Sequence, residues 1–250
     1  MSSPPIFHQP STTHTHTVVF LHGRGDNAEI FMQSLNYSRD SQNRTLADAF
    51  PSFRWVFPQA KLGKSVAFGD KVSQWFDIWN VSNFADREEL QAEGLRDSVV
   101  EIREILAAEA QLLGDKWSRI ILAGISQGAA TGVHTLLNLR LPPGQSGLGA
   151  FVGFSCRMPF PGRSLADTRA ILRLGHVAEG CVLLEHTPIL LEHCVDDPLV
   201  LIANGRVLRD TLRRFGAQVE WKEYQEGGHW FNSPTGMDDA VRFLNFYLSE

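Results

Sequence analysis

The sequence predicts an α/β fold with a mostly parallel central sheet and helices on both of its faces. Short apolar segments rich in β-branched and aromatic residues alternate with longer segments whose apolar residues recur at helical spacing. Strands that alternate with helices pair in parallel, because each helix returns the chain to the same end of the sheet. The predicted strands are residues 17–21, 53–57, 119–123, 150–154, 188–192 and 219–224, and the clearest helices are 87–113, 200–215 and 237–248.

The domain organisation predicted from the 250 residues is a single domain over residues 17–250, preceded by a flexible tail over residues 1–16. The first 16 residues are rich in Pro, Ser, Thr and His, a composition typical of a disordered end. His14 and His16 lie in this segment, and metal binding by them is the less favoured interpretation because no carboxylate or cysteine is nearby in sequence. No repeat or linker divides the remainder.

Composition excludes several classes of function. The formal net charge is −5 with no long run of Lys or Arg, which argues against nucleic acid as the main partner. The chain has three cysteines, Cys156, Cys181 and Cys194. This number is small and odd, which argues against a disulfide framework, and we expect free thiols. The N-terminus has no signal-peptide core, and no stretch has membrane-spanning length. These features predict a cytoplasmic enzyme, without indicating an oligomeric state.

A candidate nucleophile lies in the segment Gly-Ile-Ser-Gln-Gly at residues 124–128, between the predicted strand 119–123 and a helical pattern. In this strand–turn–helix setting, GxSxG is typical of a serine held on a sharp, strained turn. Gly124 and Gly128 leave room for the crossing backbone, and the following helix directs free N–H groups toward developing negative charge. The alternative interpretation is a glycine-rich packing turn without chemistry.

A base and an acid follow in the order nucleophile, acid, histidine that α/β-hydrolases use. Asp196 and Asp197 come just after the predicted strand 188–192, and His229 follows the strand 219–224 in a Gly-Gly loop. Because parallel strands end at one edge of a sheet, these groups are expected to meet Ser126 there. Asp197 is preferred as the acid because a proline follows it, and Asp196 is the candidate helix cap. Other histidines considered for the base are His134, His176, His186 and His193.

The loop after the first strand, His-Gly-Arg-Gly-Asp at residues 22–26, is suited to an oxyanion hole. Acyl transfer needs two backbone N–H donors directed at the tetrahedral oxyanion. The predicted donors are the N–H groups of Arg24 and Gln127, the latter being the residue after the nucleophile. A glycine-rich turn that binds nothing is the alternative, and the absence of a GK[ST] ending excludes a phosphate-binding P-loop.

Six segments together resemble the phospholipase/carboxylesterase family of α/β-hydrolases, which includes the acyl-protein thioesterases: LHGRGD, SQWFDIW, GISQGA, FSCRMPF, DDPLV and GGHWF. The matches run in order over residues 18–248. The resemblance implies Ser126, Asp197 and His229 as the catalytic triad, and the N–H groups of Arg24 and Gln127 as the oxyanion hole. It also implies that Trp75 and Phe76 line an acyl pocket.

The chain departs from the family's pattern at three places. The segment HCVDDP lacks the glycine that usually follows the histidine in the family. Expansions of the chain are also predicted around residues 37–54 and 160–187. Insertions near a site reshape its pocket, so the family's acyl-protein thioesterase activity does not follow from the fold alone.

The predicted function is cleavage of carboxylic esters or thioesters through an acyl-enzyme, without metal or cofactor. The apolar loop 61–83 suggests an acyl substrate, with a lipidated protein or a lysophospholipid among the options, although its aromatic residues could equally belong to the core. The alternatives are a small-molecule esterase of a specialised pathway and a hydrolase fold that only binds a partner.

Overall fold

A computed structural model describes residues 3–67, 69–175 and 182–248. Within these ranges the strands are Ile6–His8 (β1), His16–Leu21 (β2), Phe53–Phe57 (β3), Leu62–Lys64 (β4), Lys71–Ser73 (β5), Ile120–Ile125 (β6), Ala150–Phe154 (β7), Ile189–Cys194 (β8) and Val219–Tyr224 (β9). The α-helices are Ala28–Ser34 (α1), Leu46–Ala49 (α2), Gln91–Leu112 (α3), Gln127–Asn138 (α4), Leu165–Leu172 (α5), Val182–His186 (α6), Ile202–Arg214 (α7) and Thr235–Leu248 (α8).

The central sheet has seven strands in the order β1-β3-β2-β6-β7-β8-β9. Every neighbouring pair from β3 to β9 is parallel, and only β1 runs antiparallel to its neighbour β3. The strands β4 and β5 form a separate two-stranded hairpin. This arrangement confirms the predicted α/β-hydrolase architecture, and the predicted strands agree with the observed ones to within two residues at each end.

Helices cover both faces of the sheet because alternate residues of each strand are buried on opposite sides. In β2, Val19 and Leu21 pack in one core with α3, α4 and α7, whereas Val18 and Phe20 pack in a second core with α1 and α8. All four side chains are at most 1% exposed. Burying an apolar side chain of this size contributes about 1.5–3 kcal/mol, so strands with two buried faces hold the sheet together.

The order of the strands creates a crevice between β2 and β6. From β2 the chain passes to β3 on one side, then crosses back to β6 on the other side and continues outward to β9. In open α/β sheets the carboxyl ends of the strands at such a reversal form the ligand-binding crevice. The loop after β2 and the turn after β6 therefore meet at this edge.

The prediction of a flexible tail over residues 1–16 is wrong for part of this segment. Ile6–His8 pairs with β3, and the guanidinium of Arg54 lies 4.2 Å from the centre of the Phe7 ring. His16 belongs to β2 and is 8% exposed. Without β1, β3 would expose the unpaired N–H and C=O groups of an edge strand, and covering that edge favours an ordered segment despite its polar composition.

The two predicted expansions contain short helices. α2 lies in the first, where Thr45 and Asp48 form a reciprocal capping box. α5 and α6 lie in the second, and the Ser164 side chain caps α5 by accepting from the Asp167 N–H. His176 and Cys181 fall outside the described residues. Among the described residues, none of the helices combines the length and the hydropathy of a membrane-spanning segment.

Candidate active site

Ser126 occupies the strained turn between β6 and α4. Its φ of 55° and ψ of −122° are unfavourable for a residue with a side chain. A Cβ atom on Gly124 would lie 2.6 Å from the Ala129 nitrogen, and one on Gly128 would lie 2.4 Å from the carbonyl oxygen of Leu21. Only glycine fits at both positions. The turn geometry therefore agrees with the prediction from the GxSxG segment.

His229 and Asp197 are brought together from the loops after β9 and β8. His229 Nδ1 lies 2.8 Å from Asp197 Oδ2. Asp197 is 2% exposed, and its Oδ1 accepts hydrogen bonds of 2.9 Å from the backbone N–H groups of Leu199 and Val200. Its carboxylate is thus held from three directions.

Asp197 is ionised in this environment. Burial by itself raises the pKa of the carboxyl group, but hydrogen bonds from His193 and His229 and from the Val200 N–H outweigh burial and lower the pKa well below its usual range. A carboxylate only accepts hydrogen bonds, so His229 carries its proton on Nδ1. The lone pair of Nε2 is then free to accept a proton.

Asp196 has a different position from the one expected. Its carboxylate accepts the N–H groups of Gly227 and Gly228, at 3.3 and 2.8 Å, and so holds the loop that carries His229. It is not the cap of α7, which begins at Ile202. Asp197 therefore contacts the ring of His229, and Asp196 holds the backbone of the two glycines that precede it.

Ser126 and His229 line the same cavity, which has a volume of about 840 Å³. Among the described residues no hydrogen bond joins the serine hydroxyl to the imidazole. In ligand-free enzymes such catalytic hydrogen bonds are often long and shorten when substrate binds. The structure thus assembles the histidine–carboxylate pair directly and brings the serine to the same cavity.

The two predicted oxyanion donors also line this cavity. Within the described part of the chain, the backbone N–H groups of Arg24 and Gln127 donate to no other protein group. Gly23 lies against the serine, since a Cβ atom on it would be 3.7 Å from the Ser126 Cβ. Two unused donors beside the nucleophile suit a developing oxyanion.

The side chain of Gln127 has a supporting contact that the sequence did not indicate. Its Oε1 accepts the backbone N–H of Trp75 at 2.9 Å, and its Nε2 donates to the backbone carbonyl of Phe76 at 2.7 Å. The Arg24 guanidinium donates to Gln74 Oε1 at 2.9 Å. The side chains of both predicted oxyanion residues are therefore anchored to the segment that follows β5.

The structure separates the two residues that the family resemblance places in an acyl pocket. Phe76 lines the cavity, but Trp75 does not. The Trp75 indole is 2% exposed, and its N–H donates to the His22 carbonyl at 2.8 Å. Both residues lie in the bend that follows β5, and of the two only Phe76 faces the cavity. Sequence reasoning missed other apolar lining residues, which include Phe84, Met158, Leu199, Leu201 and Trp230.

The described rival histidines lie away from the serine. His134 is fully buried in α4, and burial lowers its pKa to about 4. His186 is exposed in α6, and His193 is buried beneath α7, where its Nε2 lies 2.7 Å from the Val200 carbonyl oxygen. None of the three lines the cavity. Over the described ranges, no group of three or more His, Cys, Asp or Glu side chains is arranged to bind a metal ion.

Comparison with known proteins assigns the chain to a family. The sequence profile described as phospholipase/carboxylesterase matches residues 5–248. The chain belongs to the phospholipase/carboxylesterase family. Acyl-protein thioesterase 1 of Gibberella zeae is 26% identical over 248 residues, covering 98% of this chain and 95% of the relative. Acyl-protein thioesterase 1 of Schizosaccharomyces pombe is 30% identical over 192 residues, covering 76% and 72% respectively.

Solved structures of similar fold match almost the whole chain. Acyl-protein thioesterase 2 of Zea mays has a TM-score of 0.73 at 23% identity, covering 98% of this chain and 99% of its own. Esterase PE8 also has a TM-score of 0.73, at 22% identity, covering 99% and 100%. At this level of identity the structural likeness establishes the fold.

Proposed function

We propose that this protein is a serine hydrolase that cleaves carboxylic esters or thioesters, with Ser126, Asp197 and His229 as its catalytic triad. The observation that carries the proposal is the 2.8 Å contact between His229 Nδ1 and the ionised Asp197, at a cavity that the strained Ser126 also lines. Membership of the phospholipase/carboxylesterase family supports the same reaction class.

The mechanism follows from the roles of these groups. Ser126 Oγ attacks the carbonyl carbon while His229 Nε2 takes the hydroxyl proton, and the new oxyanion is held by the N–H groups of Arg24 and Gln127. The C–O or C–S bond then breaks, and His229 returns its proton to the departing alcohol or thiol. Water, deprotonated by the same imidazole, attacks the acyl-enzyme, and the acid product leaves with Ser126 restored.

An acyl group of moderate length is the proposed substrate element. Phe76, Ile78 and Phe84 supply apolar surface to the cavity, and each buried CH₂ contributes about 0.8 kcal/mol. Relatives are named acyl-protein thioesterases, which supports an acylated protein among the substrates, and lysophospholipid is a further candidate. Values of kcat/KM should rise from acetyl to hexanoyl esters; values that stay level over that series would contradict an acyl pocket.

A cytoplasmic site of action belongs to the same proposal. Cys156 and Cys194 are both free and buried, as expected in a reducing compartment. Fractionation of cells that express the tagged full chain would test this, and recovery in the secreted fraction would contradict it.

The decisive experiment is labelling with a fluorophosphonate probe together with hydrolysis of 4-nitrophenyl hexanoate. Wild type should be labelled at Ser126, and Ser126→Ala should lose labelling and about a million-fold in kcat. Ser164→Ala is the matched control, because this serine caps α5 and does not line the cavity. Normal hydrolysis by Ser126→Ala would refute the assignment, and a wild type that neither reacts nor hydrolyses would favour a binding protein.

A further inference from the structure

Arg157 is a buried cation in the wall of the cavity that Ser126 and His229 line. It follows β7 and is 6% exposed. Its guanidinium lies 4.0 Å from the centre of the Phe84 ring, and Nη2 donates to Gln91 Oε1 at 2.7 Å. The other guanidinium N–H groups have no acceptor among the described residues.

The charge of Arg157 has no anionic partner in the described part of the chain. Glu88, whose charge acts on Arg157, is instead bound by the guanidinium of Arg163. The neighbouring Cys156 is neutral, because burial raises its pKa to about 12. Burial lowers the pKa of Arg157 itself to about 10, so the guanidinium remains charged at neutral pH.

An unpaired buried charge is unfavourable and needs a counter-charge or an exceptional environment. The aromatic face of Phe84 and the amide of Gln91 stabilise the cation in part. A carboxylate in the cavity would complete the pairing, because the planar guanidinium presents several N–H donors in a fork that matches two carboxylate oxygens.

The rest of the cavity does not offer this counter-charge. Arg24, a second cation of the lining, lies 4.0 Å from Asp77 and is hydrogen-bonded to Gln74. Asp26 is the one carboxylate among the described lining residues; it lies in the loop after β2 and makes no ion pair with Arg157. The interior of the cavity therefore has an unmatched positive charge.

We propose that Arg157 binds a carboxylate carried by the substrate, so that the preferred esters or thioesters are anionic rather than purely hydrocarbon. This inference rests on the proposed hydrolase function and specifies its substrate class. The remaining length of the substrate lies along the apolar lining, and the cavity volume of about 840 Å³ accommodates a ligand with both an acyl chain and a carboxylate.

The experiment compares matched pairs of esters with and without a carboxylate. On the acyl side the pair is the 4-nitrophenyl monoester of adipic acid and 4-nitrophenyl hexanoate. On the leaving-group side the pair is 4-carboxyphenyl hexanoate and phenyl hexanoate. Each ester is assayed with wild type, Arg157→Gln, Arg157→Lys and the control Arg213→Gln, whose exposed side chain donates to the Val219 carbonyl and does not line the cavity. Thermal unfolding confirms that each variant is folded.

For the pair whose carboxylate reaches the guanidinium, Arg157→Gln should lower kcat/KM for the anionic ester about 10- to 100-fold, mainly through KM, and leave the neutral ester within about threefold. Arg157→Lys should recover part of the loss, and Arg213→Gln should leave the ratio of anionic to neutral ester unchanged. Equal losses for charged and neutral esters would show that Arg157 only fastens its loop to Phe84 and Gln91, and would overturn the proposal.

A binding measurement separates this inference from the proposed function. For the ester pair whose carboxylate reaches the guanidinium, Ser126→Ala should bind the anionic ester more tightly than the neutral ester in calorimetry, and the additional substitution Arg157→Gln should remove that difference. Hydrolysis of neutral esters without any selectivity for the anion would refute the inference alone. Selective binding of the anion by a protein that hydrolyses no ester would refute the proposed function and retain the role of Arg157.

Discussion

Asp197→Asn is the most informative single substitution, because it changes the chemistry of the acid with almost no change in shape. In the wild type, Asp197 Oδ1 accepts the N–H groups of Leu199 and Val200 at 2.9 Å, and Oδ2 faces His229 Nδ1 at 2.8 Å. In the variant the amide oxygen keeps the two backbone donors, so the NH₂ group must face the imidazole. The ring then places its proton on Nε2, which can no longer accept the serine proton.

The expected loss follows from this reversal of the tautomer. An asparagine that leaves the geometry intact but holds the histidine in the wrong tautomer lowers kcat by about 10⁴-fold in serine hydrolases, equivalent to about 5.5 kcal/mol of activation free energy. The assay is kcat for 4-nitrophenyl hexanoate at neutral pH. KM should change little, because Asp197 does not line the cavity.

Asp196→Asn is the matched control for this prediction. Its single amide oxygen can still accept the Gly228 N–H, which makes the shorter of the two bonds at 2.8 Å, so the histidine loop should keep its position with a loss in kcat of about tenfold or less. If Asp196→Asn were the more damaging substitution, or if Asp197→Asn retained a tenth of wild-type activity, the assignment of the acid would be wrong.

Two further predictions concern stability. Burial, and next the charge of Asp239, raise the pKa of Glu192, so the folded protein retains a proton that the unfolded chain releases. The stability that protonated Glu192 contributes is fully present at acid pH, below the unfolded pKa, and is lost as the pH rises from there through the folded pKa. Glu192→Gln should therefore raise Tm relative to wild type more at pH 8 than at pH 5 in calorimetric scans, and a pH-independent difference would contradict this. Gly128→Ala should lower the free energy of unfolding by about 2–4 kcal/mol in urea titrations, because the added Cβ would lie 2.4 Å from the Leu21 carbonyl oxygen. In the control Gly63→Ala the added Cβ has its nearest neighbour at 3.5 Å, and the free energy of unfolding should change by less than about 1 kcal/mol. Equal effects of the two substitutions would refute the steric argument.

Local sequence was sufficient where a residue's role depends on its immediate neighbours. The turn that carries Ser126 follows from two glycines, a strand before them and a helix after them, and each of these leaves a pattern in consecutive residues. The position of His229 after the last strand follows from chain order, because parallel strands deliver their ends to one edge.

Contacts between distant segments decided what the local pattern left open. Asp196 and Asp197 differ by one position, and only the approach of the His229 loop distinguishes them. Trp75 and Phe76 are equally apolar in sequence, but the Gln127 side chain, 52 residues from Trp75, anchors this segment so that Phe76 faces the cavity. The pairing of Ile6–His8 with β3 depends on an edge strand that composition cannot indicate.

The sequence by itself determined the parallel sheet, the strained serine turn and the chain order of the candidate triad, since periodicity, glycine sterics and element order are properties of consecutive residues. Only the tertiary structure decided which aspartate contacts the histidine, which aromatic side chain faces the cavity, and that Arg157 lies buried there without an anionic partner among the described residues. These features depend on which groups from distant segments share a volume and exclude water, and that is settled only when the chain has packed.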